Sequence, residues 1–176
     1  TNPSPPQCWS YYNTNTTSST ASPYGYIRNY SFISYSTPNV MYMYSSSNTT
    51  AREDTLMFIS PEFASLANTQ FKAKMRGYTS TTGRFNKLIV GTMSNPADPS
   101  TLNILDTIEV APLAMNDYLF YITTASGYNG TDKHLALMND NATVYSGLYI
   151  DDVEISAMPA CPQPIGLNTV SSTPTT

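Results

Sequence analysis

Apolar and basic residues alternate strictly along one stretch of this chain, which reads FKAKMRGY from 71 to 78. Successive side chains of an extended strand point to opposite faces, so this segment predicts one buried and one solvated face. Residues 26–33 and 40–44 also have a period of two, which puts one set of side chains on each face of a strand, for example Tyr42 and Tyr44 against Met41 and Met43. We interpret the basic residues of 71–78 as the solvated face of a strand rather than as an anion-binding site.

Short strands recur along the rest of the chain, and polar turns separate them. Strands are predicted at 9–12, 26–33, 40–44, 55–59, 71–78, 87–93, 102–110, 117–124, 134–138 and 149–156. The segments 13–22, 45–50, 79–83 and 139–143 are predicted loops and turns, and 61–69 holds at most one short turn. Nine or ten turn-bounded strands without helical periodicity are typical of a β-sandwich or barrel.

The composition agrees with this fold class and indicates an extracellular protein. The 176 residues suit one domain, and only 11% of them are charged. Ser, Thr and Asn must therefore supply the polar surface, while the 14 Tyr and 13 Pro favour strands, turns and loops. We expect a secreted or cell-surface protein. Since the chain lacks an initial Met and a signal peptide, we expect a fragment or mature product with neighbouring domains.

Charge and hydropathy argue against two classes of partner. The formal net charge is −4 and the eight basic residues are scattered, which predicts no nucleic-acid binding. No apolar run approaches the roughly 18–20 residues of a membrane helix, so no membrane insertion is expected.

The two cysteines flank the predicted strands: Cys8 precedes the first strand and Cys161 follows the last. In a secreted chain such a pair predicts a disulfide between the first and last strands. Closing that loop would stabilise the fold by about 4–5 kcal/mol in the loop-entropy model. The alternative is two unrelated thiols.

Four short motifs together resemble one family. They are PQCW at 6–9, LMFISPEF at 56–63, LIVGTMSNP at 88–96, and YIDDVEI at 149–155 followed by Cys161. Their order and spacing are similar to those of MAM domains and the MAM-like cleaved-adhesin modules of Bacteroidetes surface proteins. The resemblance covers residues 5–159. In addition, CPQPIGL at 161–167 resembles the first strand of a fibronectin type III module.

The resemblance implies an all-β, antiparallel jelly-roll β-sandwich, MAM-like and galactose-binding-like, over residues 1–160. Residues 161–176 are then a linker or the truncated start of a fibronectin type III-like domain. Members of the family are adhesion or substrate-binding modules, often with a structural calcium ion. The chain departs from the family at 13–22, where relatives often carry an acidic residue and this loop has none.

Asp151 and Asp152 are the predicted metal ligands. Alternation places Asp151 on the face of Val153, so it is expected to point into the core, where a carboxylate needs a partner. Calcium takes six to eight oxygen ligands and would suit it. The alternative is hydrogen bonding to backbone amides or to Arg28 or Arg52.

Eight tyrosines lie in the first 45 residues, and aromatic rings suit sugars and protein interfaces. Tyr42 and Tyr44 share one strand face and Met41 and Met43 the other, so one of these faces must be exposed or covered by a partner. The predicted ligand-binding residues are Tyr24, Tyr26, Tyr42 and Tyr44. The alternative is that half of the tyrosines belong to the core.

No catalytic constellation is visible in the sequence. His134 is the only histidine, and neither a Ser nor a Cys nucleophile motif accompanies it. We therefore predict a non-catalytic adhesion or recognition module that binds a glycan or an extracellular protein. Two alternatives are a carbohydrate-binding accessory domain of a secreted hydrolase and a ligand-free spacer in a surface stalk.

Overall fold

The alternating segments form ten β-strands in a computed structural model, which describes residues 5–14, 24–45, 55–78, 86–139 and 146–165. The strands are β1 (Ser10–Asn13), β2 (Tyr24–Asn29), β3 (Asn39–Ser45), β4 (Leu56–Ile59), β5 (Thr69–Gly77), β6 (Asn86–Met93), β7 (Leu102–Val110), β8 (Asn116–Ile122), β9 (His134–Asn139) and β10 (Ser146–Ala157).

The strands pair into two antiparallel five-stranded sheets. Sheet A has the order β1-β4-β9-β6-β7, and sheet B has the order β2-β3-β10-β5-β8. Only β2–β3 and β6–β7 are consecutive in the chain and in the same sheet. All other connections cross between the sheets, so each sheet is completed by distant segments. This arrangement confirms the predicted antiparallel jelly-roll β-sandwich.

The main core lies between the two sheets. Met41 and Met43 of β3 point into it, and so do Phe58 of β4 and Phe71 of β5. Burying a side chain of this size stabilises the fold by about 1.5–3 kcal/mol. Gly25 faces Phe58 across this core, and a Cβ there would lie 2.9 Å from the Phe58 ring. The methionines therefore fill the sandwich, and the tyrosines of β3 point outward.

One predicted strand is too long. Residues 26–33 were expected to be extended throughout, but β2 ends at Asn29. The carbonyl oxygen of Tyr30 accepts hydrogen bonds from the amides of Ile33 and Ser34, which turns the chain. Single turns of 3-10 helix at Pro99–Thr101 and Thr124–Ser126 also had no counterpart in the alternation.

The inward orientation expected for Asp151 is wrong. A β-bulge in β10 shifts the register against β5 between Asp151 and Glu154, and Asp152 has a positive φ of 47°. The extra residue lets Ile150 and Val153 both contact the core, although three positions separate them. Asp151 therefore lies on the outer face of sheet B.

Several expectations concern residues outside the described ranges. Most of the predicted turns at 45–50, 79–83 and 139–143, most of the loop 13–22, and Arg52 belong there. The same holds for 166–176, so the fibronectin type III resemblance and the domain boundary at 160 stay predictions. In the described part of the chain no helix has the length and apolar character needed to cross a membrane.

Candidate functional site

The outer face of sheet B carries a row of tyrosines across three adjacent strands. Tyr42 of β3 pairs in register with Tyr26 of β2 on one side and Tyr149 of β10 on the other. Their side chains therefore point the same way and meet. Together with three neighbours on this face they form the tyrosine layer, which consists of Tyr26, Tyr30, Tyr42, Tyr44, Tyr78 and Tyr149.

Close ring packing buries the centre of the tyrosine layer. The rings of Tyr42 and Tyr149 are stacked with centroids 4.7 Å apart, and Tyr26 meets Tyr42 edge-on at 5.8 Å. Tyr42 and Tyr149 are each only 2% exposed. The Arg28 guanidinium lies 4.3 Å from the centroid of Tyr30, a cation–π contact that adds to the packing. This layer acts as a second core on the outer face.

The predicted ligand-binding tyrosines are brought together in part. Tyr26, Tyr42 and Tyr44 belong to the tyrosine layer, and the backbone of Tyr24 pairs with Tyr44 at its edge. Tyr42 supports neighbouring rings, since it has almost no exposed surface. The rim is formed by Tyr44 and by Tyr78, whose rings are 5.2 Å apart.

Sequence reasoning missed Tyr78 and Tyr149, although a signal was present. Tyr78 continues the solvated face of 71–78, and Tyr149 alternates with the buried Leu148 and Ile150. Following each alternation onto the shared outer face would have found both.

Burial raises the pKa of the Tyr149 phenol from its ordinary value near 10 to about 12, and Arg28 partly offsets this rise. The folded state holds this proton more tightly than the unfolded state does. The protonated phenol therefore contributes its full share to the free energy of unfolding below pH 10, and this contribution is lost as pH rises from 10 to 12. We expect the free energy of unfolding to fall over that window, and to fall less in Tyr149→Phe. Denaturant unfolding at about pH 9 and about pH 11.5 measures this difference. An equal fall in both proteins would contradict it.

Asp151 and Asp152 hold a loop that borders the tyrosine layer. The Asp151 carboxylate accepts hydrogen bonds from the backbone amides of Tyr35 at 2.7 Å and Ser36 at 3.0 Å. The hydroxyl of Ser36 donates to Asp152. The loop 30–38, which carries Tyr35, is thereby fixed against β10. Hydrogen bonds that involve a charged group are the stronger ones, which suits this role.

These contacts match the alternative considered for Asp151 rather than a cation shell. The groups around its oxygens are N–H donors, including the amide of Asp152 at 2.9 Å, whereas calcium requires further oxygen ligands. Within the described ranges, no group of three or more His, Cys, Asp or Glu residues could hold a metal ion. A calcium ion at Asp151 would have to replace these hydrogen bonds. Calcium binding stays a prediction, which a melting temperature sensitive to chelation would support.

A cleft of about 590 Å³, lined by charged and apolar side chains, lies on the same outer face. Asp152, which contacts the loop 30–38, is one of its lining residues. Lys72 of β5 and Leu119 of β8 pair in register and supply its floor with Lys74. Gln163 and Ile165 line another side. The Tyr121 hydroxyl fixes that wall by donating to the carbonyl oxygen of Gln163 at 3.0 Å. The volume falls within the range of about 300–1,000 Å³ typical of ligand pockets.

Two ion pairs cross the floor of the cleft. The Lys74 ammonium lies 2.6 Å from Asp117 Oδ1, and that contact raises the pKa of Lys74. Lys72 lies 3.9 Å from Glu154 Oε1, beyond hydrogen-bond distance. The Tyr35 ring covers Lys74, with its centroid 4.0 Å from the ammonium nitrogen. The Tyr35 side chain itself is 61% exposed.

The remaining candidate residues have structural surroundings. His134 Nδ1 contacts the carbonyl oxygen of Ser60 at 2.9 Å, and the Ser60 hydroxyl donates to the Pro61 carbonyl. Cys8 and Cys161 are free and exposed, so the predicted disulfide is not formed in the structure. Cys8 precedes the edge strand of sheet A, whereas Cys161 follows a central strand of sheet B.

No protein-family model matches the chain, and no curated protein sequence matches it. Solved structures do match, at low identity. The K2 cleaved adhesin domain of Lys-gingipain superposes with a TM-score of 0.64 at 10% identity, covering 89% of this chain and 92% of that domain. The K1 domain from Porphyromonas gingivalis W83 gives a TM-score of 0.63 at 14% identity, covering 88% and 93%.

Two further similar structures differ in what they do. TmCBM61, solved with β-1,4-galactotriose, gives a TM-score of 0.52 at 8% identity, covering 86% of this chain and 89% of its own. The Stig cyclase Fisc from Fischerella sp. TAU gives 0.54 at 15% identity, covering 90% and 89%. At such identities the likeness shows the fold alone. The chain therefore shares its fold with cleaved adhesin domains, a glycan-bound module and an enzyme.

Proposed function

We propose that this protein is a non-catalytic, extracellular recognition module that binds a glycan chain in the cleft on the outer face of sheet B. The cleft itself is the observation that supports this function. Its charged side chains can hydrogen-bond to hydroxyl groups, and the apolar side chains of Leu119 and Ile165 suit the apolar faces of sugar rings.

The neighbouring loop is fixed before any ligand arrives. Asp151 and Asp152 hold the loop 30–38 through three hydrogen bonds, and Tyr35 rests on Lys74. Asp152 also lines the cleft, so a ligand meets a carboxylate that is already ordered and that loses little conformational entropy on binding. The proposal covers both an adhesin and an accessory domain of a secreted hydrolase.

A matched pair of lysines tests the glycan proposal. Lys72 and Lys87 each lie in a loose ion pair with a glutamate on a neighbouring strand, at 3.9 and 3.8 Å, but only Lys72 lines the cleft. Losing one charge-assisted hydrogen bond costs about 1.5–3 kcal/mol. We expect Lys72→Ala to weaken oligosaccharide binding by roughly tenfold or more, and Lys87→Ala to leave the affinity unchanged.

Isothermal titration calorimetry with a panel of soluble oligosaccharides measures these affinities. Equal affinity of the two variants would show that the glycan binds away from the cleft. Absence of binding to the entire panel at millimolar concentration would overturn the proposed function.

A protein ligand is the second candidate, and one residue favours it. Phe32 is 92% exposed at the tip of the fixed loop 30–38, and a rigid exposed aromatic side chain is typical of interface anchors. Phe32→Ala would then abolish capture of an extracellular matrix protein while sparing oligosaccharide binding.

A further inference from the structure

The charged side chains of the cleft are not evenly balanced. Two ammonium groups, from Lys72 and Lys74, face three carboxylates, from Asp117, Asp152 and Glu154. The formal charge of this set is therefore −1. A ligand entering the cleft meets an excess of hydrogen-bond acceptors.

One of the two cations is already committed. Lys74 lies 2.6 Å from Asp117 Oδ1 and 4.0 Å from the centroid of the Tyr35 ring. These contacts satisfy its charge and cover it. Lys72 is the cation that remains for a ligand, because its distance of 3.9 Å to Glu154 is too long for a hydrogen bond.

The carboxylates keep acceptor capacity. Asp117 receives one hydrogen bond, from Lys74, and Glu154 accepts one from the Ser156 hydroxyl at 2.7 Å. An ionised carboxylate has two oxygens with about four acceptor positions, so each can accept further hydrogen bonds. Hydroxyl and ammonium groups donate such bonds, whereas uronate and sulfate groups cannot and would add like charge.

We infer, resting on the proposed glycan function, that the cleft selects neutral or amino-sugar chains and rejects acidic ones. The excess carboxylates accept from hydroxyl or ammonium donors, and Lys72 donates to a hydroxyl or ring oxygen. A uronate group would compete with Glu154 for Lys72, the one cation left to a ligand, and would meet the net formal charge of −1 of the cleft.

Oligosaccharides matched in linkage and stereochemistry test this selection. β-1,4-mannohexaose and the β-1,4-mannuronate hexamer differ only at C6, and so do cellohexaose and its cellouronate counterpart. We expect each uronate to bind at least tenfold more weakly than its neutral partner, and we expect this difference in affinity to shrink at high salt. Chitosan hexamer is expected to bind at least as well as cellohexaose.

Variants assign the selection to the cleft. Asp117→Asn combined with Glu154→Gln removes two of the three carboxylates, so we expect the difference in affinity between neutral and uronate chains to narrow. Asp106→Asn with Glu109→Gln makes the same charge change on β7 of sheet A and is expected to leave that difference in affinity unchanged. Uronates that bind as tightly as their neutral partners would overturn the inference and leave the proposed function standing. Failure of every neutral, amino and acidic chain to bind would overturn the proposed function itself.

Discussion

Tyr149→Ala is expected to lower the free energy of unfolding by about 3–5 kcal/mol, the range for truncating a buried aromatic residue. Tyr149 is 2% exposed although it lies on the outer face of its sheet, and its ring is stacked on Tyr42. Removing it leaves a cavity in the tyrosine layer and takes a packing partner from Tyr30 and Tyr78. The melting temperature should fall by on the order of 10 °C.

Two control variants show how much of this loss of stability comes from packing of the buried ring. One removes only the Tyr149 hydroxyl, and the other removes an aromatic ring that is exposed. Tyr149→Phe keeps the ring and should cost about 0.5–1.5 kcal/mol, the usual value of one hydrogen bond. Phe32→Ala removes an aromatic ring that is almost fully exposed, so its cost should stay within about 0.5 kcal/mol. If Tyr149→Ala cost no more than Phe32→Ala in denaturant unfolding, the tyrosine layer would not be a second core.

The strands were predictable because the alternation of residues within each strand reflects which of its faces is buried. In 71–78, Phe71, Ala73 and Met75 are buried and Lys72 is exposed, as the alternation indicated. The alternation in 40–44 also predicted that Tyr42 and Tyr44 share a face. It left open which face is covered, and the structure shows that a row of further tyrosines covers Tyr42.

The orientation of Asp151 was not predictable, because a bulge is defined by pairing with another strand. Two residues lie between Asp151 and Glu154 on β10, whereas only one lies between their partners Lys74 and Lys72 on β5. Period-two reasoning assumes no inserted residue and therefore placed Asp151 inside. Within the bulge Asp152 adopts a positive φ, a conformation that Asp tolerates better than most residues.

The cleft was invisible in the sequence for a related reason. Lys72, Asp117 and Glu154 come from β5, β8 and β10, which are adjacent in sheet B but distant in the chain. Alternation correctly placed the lysines on the solvated face. It carried no information about which strands flank β5, and the facing carboxylates depend on that order.

The second large effect is expected at Gly77, where the end of β5 meets the start of β6. A Cβ at Gly77 would lie 2.2 Å from Asn86 Nδ2 and 2.7 Å from Asn86 Cγ, closer than any real contact. Asn86 is buried, and its Oδ1 accepts a hydrogen bond from the amide of Gly147 at 3.2 Å. Asn86 belongs to sheet A and Gly147 to sheet B, so this side chain links the two sheets.

Gly77→Ala should therefore displace Asn86 and lower the free energy of unfolding by about 2–6 kcal/mol. Overpacking contributes about 1–3 kcal/mol, and the buried Gly147 amide left without its acceptor contributes about 1–3 kcal/mol more. The double variant Gly77→Ala/Asn86→Ala has room for the new methyl group. It should be more stable than the sum of the single changes predicts, by about 0.5–3 kcal/mol.

Denaturant unfolding of the four proteins in this cycle measures the coupling directly. The Asn86→Ala background also shows the cost of the new methyl group where no amide opposes it, which separates the steric clash from any intrinsic preference for glycine. Strictly additive costs would mean that Gly77 acts through its backbone alone. A positive coupling would instead show that the absent side chain at Gly77 leaves space for Asn86, through which β6 of sheet A is joined to β10 of sheet B.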